Sequence, residues 1–251
     1  MLDGFDLTGR RALVTGASRG IGRAIAVGLG RCGARVGVHY ARRDAAAREV
    51  LAELDGRGCL VGGDLGDDEG PVRIVDETVT ALGGIDILVL NASVQYVRPW
   101  DEPHREEFDK QVAVNFRSVV EMIQRAAPAM VERRWGRIVT VGSVQQYRPY
   151  PHMVPYGALK AALEQMVRNL ARQLGPHGVT VNNLVPGVIA TERVGKIYSD
   201  PEVKARAGAS ICLGRVGEPD DCIGAAVLLC SDAGVYITGT DLIVDGGYRL
   251  P

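Results

Sequence analysis

Aromatic residues are scarce, only 5% of 251, and neither charge sign dominates, with 29 basic residues against 30 acidic. A formal net charge of −1 creates no field that would draw nucleic acid or an anionic membrane. Paired cysteine motifs are missing too. Cys32, Cys59, Cys212, Cys222 and Cys230 are five in number, and none forms a CxxC pair. That argues against a disulfide framework or a zinc site and for reduced thiols. The histidines His39, His104, His152 and His177 have no metal-ligand spacing, so surface or pocket-rim roles are expected and no metal. No apolar run is long enough to span a bilayer. Met1-Leu2-Asp3-Gly4-Phe5-Asp6 lacks the basic start and apolar core of a signal peptide, so a cytoplasmic location is expected. Low-complexity linkers, long charge runs and internal repeats are also lacking.

What is present is an alternation of strand and helix. Arg11-Ala12-Leu13-Val14-Thr15 reads as a strand, followed by a glycine turn and a helix over about 20–32. Further strands are expected over 35–40, 59–62, 86–90, 137–141 and 179–185, with one more at 241–244. Asp44 is expected to cap the helix after the second strand. These strands are continuously apolar, so both faces must be covered, as in a parallel sheet between helix layers. Repeating βα units predict a single α/β domain with a doubly wound parallel sheet in the order 3-2-1-4-5-6. Met130, Met153 and Met166 suit packing.

The first strand runs into Thr15-Gly16-Ala17-Ser18-Arg19-Gly20-Ile21-Gly22. Glycine allows a tight turn and close approach of backbone to phosphate, and the following helix offers free N–H groups and its positive end. The GxxxGxG spacing alone is an ambiguous sign of a dinucleotide. The end of the second strand normally meets the adenosine ribose, where an acid suits NAD(H) and basic groups suit the 2′-phosphate of NADP(H). Here stand Tyr40-Ala41-Arg42-Arg43, with no acid before Asp44 and with Arg19 nearby. A guanidinium donates a planar fork of hydrogen bonds to phosphate. NADP(H) is therefore favoured, with NAD(H) possible.

These elements together resemble the short-chain dehydrogenase/reductase family from about Gly9 to Tyr248. The glycine turn matches the family's TGxxxGIG. The resemblance implies a Rossmann fold with helices on both faces of the sheet. It also implies that Asp64 and Leu65 hold the adenine ring and that Asn91-Ala92-Ser93 form the NAG element. Pro186, Gly187, Ile189 and Thr191 match the segment that contacts the nicotinamide carboxamide and the phosphates. Asn115, Ser143, Tyr156 and Lys160 match the catalytic tetrad, with Tyr156 and Lys160 also meeting the cofactor. Asp245-Gly246-Gly247 resembles the family's C-terminal ending. Ser93 departs from the family glycine and Leu90 from the Asn often found before the motif; neither change removes a reacting group.

The tetrad suits carbonyl/alcohol interconversion. Tyr156 and Lys160 lie four apart on a helix and share a face. A free phenol titrates near pH 10, and a neighbouring ammonium favours its ionised form. The resemblance implies that Tyr156 exchanges a proton with the substrate oxygen. It further implies that Lys160 anchors the nicotinamide ribose, that Ser143 hydrogen-bonds the substrate oxygen, and that Asn115 holds a relay water. Each residue alone has a bland reading, as a surface pair, a turn cap or an exposed amide.

Substrate choice is expected from 94–98, 144–152 and a lid-like stretch over 188–213 that includes Tyr198. Gln95, Gln145, Gln146 and Arg148, with Ser143 and Tyr156, make this rim polar and suggest a sugar, polyol or hydroxy acid. A 3-oxoacyl thioester is the alternative, with Arg134 and Arg137 as candidate docking residues for an acidic carrier and His177 where a second docking arginine is expected. A silent NADP(H)-binding sensor is the alternative of another class. Phe116, Val120, Ile123 and Met130, with Leu163, Met166, Val167, Leu170 and Leu174, suit core packing. The resemblance adds subunit pairing in a homo-oligomer, with a tetramer favoured.

Overall fold

In a computed structural model, the structure describes residues 3–102, 104–192 and 200–250. Seven strands form one parallel sheet in the order β3-β2-β1-β4-β5-β6-β7. They are β1 Arg11–Val14, β2 Arg35–Tyr40, β3 Gly58–Gly62, β4 Ile87–Leu90, β5 Gly136–Val141, β6 Val179–Pro186 and β7 Asp241–Val244. This is the predicted order, with β7 added beside β6. Registers such as Val14 against Val38 and Val89 bring the carboxyl ends of β1, β2 and β4 level. The reversal of strand order between β1 and β4 opens a crevice at those ends.

Helices α1 Gly20–Arg31, α2 Asp44–Glu53, α3 Gly70–Leu82, α4 Arg105–Val112, α5 Ser118–Arg133, α6 Val154–Leu174, α7 Pro201–Ala209 and α8 Ile223–Cys230 surround the sheet. Alternate strand side chains feed two cores. Ala12, Val14, Val36 and Val38 pack with Ile25, Leu29 and Val50 on one face. Leu13, Leu88 and Ile138 pack with Ile74, Met122 and Leu163 on the other. This period-two division explains why the strands read as continuous apolar runs.

Asp44 does not cap α2. Arg43 occupies the cap position without a side-chain bond, and Asp44 is the first helical residue. Its carboxylate accepts from Arg48 Nε at 2.8 Å, one turn on. An acid in the first turn still suits the positive helix end.

Candidate active site

The glycine turn is built by steric necessity. Gly16 has φ +64°, and a Cβ on Gly22 would lie 2.3 Å from the Gly16 carbonyl oxygen and 2.4 Å from Asn91 Nδ2. Only a residue without a side chain lets the first turn of α1 settle onto β1 here. Thr15, just after β1, and Asn91, just after β4, tie the turn to β4. Thr15 Oγ1 accepts from the Asn91 and Ala92 amides at 2.9 and 3.0 Å. Asn91 Nδ2 donates to the Thr15 carbonyl at 2.8 Å. No side chain caps α1 at Arg19, so its first turn keeps donors for an external anion. Ser18, Gly20 and Ile21 line the start of that turn, each partly exposed.

Basic groups converge beside it. Arg43 Nη1 and Arg19 Nη1 stand 2.6 and 3.5 Å from the same Glu192 Oε2. Two guanidiniums meeting on one anionic oxygen form a donor set that suits phosphate. Tyr40, Ala41 and Arg42 bring no acid to the end of β2. Asp64 accepts from Lys110 Nζ at 2.8 and 3.0 Å and from the Gly66 amide at 2.8 Å. Burial opposes its charge, but these bonds and the nearby Arg42 outweigh it and hold the carboxyl below its ordinary range. Leu65 beside it is buried.

His39 corrects the expectation of a surface or rim histidine. It is 2% exposed. Its Nδ1 lies 3.0 Å from the Gly16 amide, and its Nε2 lies 3.0 Å from the Gly63 carbonyl. The available signal was its place in the buried stretch Val36–His39 of β2.

The four tetrad positions occupy three converging elements. Tyr156 lies in the first turn of α6 and Lys160 one turn on; both are buried. Lys160 Nζ donates to the Val141 carbonyl at 2.5 Å, at the end of β5, and stands 5.6 Å from the Tyr156 ring centroid. Ser143 follows β5 and caps the short turn Val144–Gln146, its Oγ accepting from the Gln145 amide at 3.2 Å. The turn and α6 adjoin, since a Cβ on Gly157 would lie 3.5 Å from the Gln145 carbonyl oxygen. Asn115 sits in a π-helical turn, Ala113–Arg117, between α4 and α5. Such turns are rare and favour functional sites. Its side chain accepts from the Val94 amide and donates to the Val94 carbonyl, each at 2.8 Å.

A polar network behind Ser143 escaped the sequence reading. Thr140 Oγ1 donates to Asn183 Oδ1 at 2.8 Å, and Asn183 Nδ2 donates to Asp241 Oδ1 at 2.7 Å. Gln146 Nε2 donates to Asp241 and Glu164, each at 3.1 Å, while its Oε1 accepts from the Ser143 amide at 3.3 Å. Tyr147 donates to Asp241; burial and that carboxylate push the phenol up to about 12. These partners come from four separate stretches of chain, so no local motif announces them.

On the rim, Gln95 is partly buried. Gln145 Oε1 accepts from the Tyr150 amide at 2.8 Å. Arg148 stacks 4.1 Å over the Tyr248 ring and donates to the Tyr248 carbonyl. Arg98 pairs with Glu107 at 2.7 and 3.0 Å. Tyr96, Trp100, Phe108, His152 and Pro155 line a cavity of about 510 Å³ beside α6. A groove of about 700 Å³ along α3 holds none of the candidate residues. Gly187 closes β6 against β7, its amide donating to the Val244 carbonyl at 2.9 Å. Pro186 and Ile189 are buried and Ser93, Ala92 and Thr191 partly so. Tyr198 lies outside the described residues.

A doubly wound sheet with a phosphate-type turn at its switch point and a buried Tyr–Lys pair on α6, its lysine bonded to the end of β5, defines a dinucleotide-dependent oxidoreductase. Residues 16–249 match the family model described as enoyl-(acyl carrier protein) reductase. The chain is 36% identical to an L-rhamnose 1-dehydrogenase (NAD(P)(+)) of Azotobacter vinelandii, over 96% of this chain and 97% of that protein. It is 34% identical to 3beta-hydroxysteroid dehydrogenase 1 of Eggerthella lenta, over 98% and 95%. A crystal structure of a 3-oxoacyl (acyl-carrier-protein) reductase from Agrobacterium tumefaciens with NADP bound superposes with a TM-score of 0.93. That protein is 36% identical, covering 98% of this chain and 96% of its own. The chain belongs to the short-chain dehydrogenase/reductase family, enzymes acting on CH–OH and C=O groups with NAD(P).

Proposed function

We propose that this chain uses NADP(H) to interconvert a carbonyl and a secondary alcohol on a polar small molecule, through Tyr156, Lys160, Ser143 and Asn115. The carrying observation is the buried Tyr156–Lys160 pair, with Lys160 anchored on the Val141 carbonyl. The cofactor supplies or accepts the hydride when bound. The Gly16–Gly22 turn, the uncapped start of α1 and the Arg19–Arg43 pair fit its phosphates. Gly16, Ser18, Gly20, Ile21 and Gly22 would cradle the pyrophosphate, and Tyr40, Ala41 and Arg42 would hold the adenosine end with Asp64 and Leu65. Asn91, Ala92, Ser93, Pro186, Gly187, Ile189 and Thr191 would flank the nicotinamide end.

In reduction, Tyr156 gives its phenolic proton to the carbonyl oxygen; in oxidation it takes that proton back from the alcohol. The Lys160 ammonium stabilises negative charge developing on the phenol. Ser143 donates to the same substrate oxygen as charge builds there. The Asn115 side chain holds the Val94 amide and carbonyl, so a relay water at this position would bind the main chain rather than this side-chain amide.

Gln95, Gln145, Ser143, Arg148 and Tyr156 support a polyhydroxy or hydroxy-acid substrate, and the rhamnose dehydrogenase relative supports the same class. A 3-oxoacyl thioester is the second reading, favoured by the reductase neighbour. Of the two docking candidates, Arg137 is buried. The Arg137 side chain is 1% exposed and pairs with Asp232 at 2.8 Å, with its guanidinium 4.2 Å over Trp135. It faces the interior and offers no charge to a carrier. Arg134 remains at the surface, donating to the Pro176 carbonyl at 3.1 Å.

Half-buried Phe116, Val120, Met166, Leu170 and Leu174 on α5, its preceding turn and α6 support a homotetramer. A monomer mass in light scattering at micromolar concentration refutes this. Unpaired cysteines support a cytoplasmic protein, and no helix among the described residues is long and apolar enough to cross a membrane. NADPH absorbance is to be followed across ketoses, keto acids, diketones and 3-oxoacyl thioesters. Turnover of a polar class is expected; turnover of thioesters alone favours the second reading.

A further inference from the structure

We propose that His39 is a positioning residue for the cofactor, a neutral imidazole carrying its proton on Nε2 that locks the phosphate turn to the adenine-side segment. The proposal rests on the dinucleotide reading of the site. The two partners fix the tautomer. A backbone amide only donates, so Nδ1 must accept from Gly16; a carbonyl only accepts, so Nε2 must donate to Gly63. The contacts are each 3.0 Å, on a side chain buried from solvent.

Main-chain bonds complete the clasp. The Ala17 amide donates to the His39 carbonyl at 2.8 Å, and the Gly63 amide donates to the Tyr40 carbonyl at 3.0 Å. One residue therefore joins three chain segments: the turn after β1, the end of β2 and the loop from β3 to Asp64. Gly16 holds a positive φ that suits phosphate binding; His39 grips the N–H of its peptide, while Asn91 Nδ2 holds the Thr15 carbonyl on the other side of that peptide. The imidazolium could not do this. A second N–H on Nδ1 would point at the Gly16 N–H, two donors facing each other. Burial is the largest influence on the ring and favours the neutral form. The Gly63 bond and Asp64 oppose it, and Arg73 adds to it; the outcome is a group pushed down to about 4. The clasp accordingly stays closed across the neutral range.

The test uses the full chain and NADPH itself. Nitrogen-detected NMR of labelled wild type is expected to show the Nε2–H tautomer at pH 7. His39→Leu keeps the bulk and removes both bonds; its NADPH Kd, by fluorescence titration, is expected to rise about tenfold. His39→Gln carries an acceptor and a donor on one amide and is expected to recover most of that loss. Urea unfolding of both variants reports the fold independently. An Nδ1–H tautomer or an imidazolium at pH 7 overturns the proposal. So does a folded leucine variant that binds NADPH like wild type, or a folded glutamine variant no better than leucine. A wild type that fails to bind NADPH overturns the cofactor reading and the positioning role together, a result separable from the others.

Discussion

The two ends of this site are built on different principles. At the cofactor end, backbone geometry does the holding: Gly16 and Gly22 are glycines because a Cβ has nowhere to go, and Thr15, Asn91 and His39 pin main-chain groups. At the substrate end, the polar side chains are already engaged, some with one another and some with nearby main chain. Gln145 serves Tyr150, Arg148 serves Tyr248, Arg98 serves Glu107, and Gln146 serves Asp241 and Glu164. A site fixed by backbone tolerates few residue types and so leaves a motif. A rim held through side-chain hydrogen bonds tolerates many, and it gives up those bonds at a cost when a substrate takes them over.

The largest expected effect separates the ends by pH. His39 is depressed in the folded chain, to about 4, against about 6.5 unfolded. Below pH 6.5 the unfolded chain therefore binds a proton that the folded chain refuses. Stability is unaffected above that pH and falls as pH drops from 6.5 towards 4, by about 3 kcal/mol in all. Urea titrations of wild type and His39→Gln should diverge across this window; parallel curves contradict a buried neutral imidazole. Next in size is Gly22→Ala. Its new methyl meets the Gly16 carbonyl, and NADPH affinity is expected to fall about a hundredfold, near 2.7 kcal/mol, while urea unfolding shows whether the fold survives. Calorimetry showing wild-type affinity in a folded variant breaks the claim that backbone fit governs this end. Smallest is Gln145→Leu at the rim. The Michaelis constant for a polar substrate is expected to rise about fivefold with little change in NADPH affinity, the loss of one hydrogen bond. An unchanged constant removes Gln145 from the substrate surface.

This difference also decides what could be read in advance. The parallel sheet was legible because each strand is buried on both faces and its apolar run is unbroken. The glycine turn was legible because steric exclusion leaves no substitute. Tyr156 and Lys160 were legible through helical spacing taken with the family resemblance. His39 was misjudged because spacing rules look for metal ligands, whereas its partners are main-chain groups 23 and 24 positions away. Arg137 was misjudged as a surface charge because its partners, Trp135 beside it and Asp232 far along the chain, bury it only once β5 meets the segment after α8. Asn183 and Asp241, and the bonds that tie Gln146 to Asp241, went unseen for the same reason: side-chain networks assembled from distant segments leave no periodic trace. Asp44, the predicted cap, lies one position inside the observed one at Arg43, a shift common at helix ends.

The central claim is that Tyr156 carries the proton in a hydride-transfer reaction at this site. The most direct measurement is NADPH consumption by wild type and Tyr156→Phe with the best substrate of the panel, alongside NADPH binding by both. The account predicts a loss in turnover of about 10²- to 10⁴-fold, with NADPH still bound. Turnover in the phenylalanine variant equal to that of wild type contradicts it.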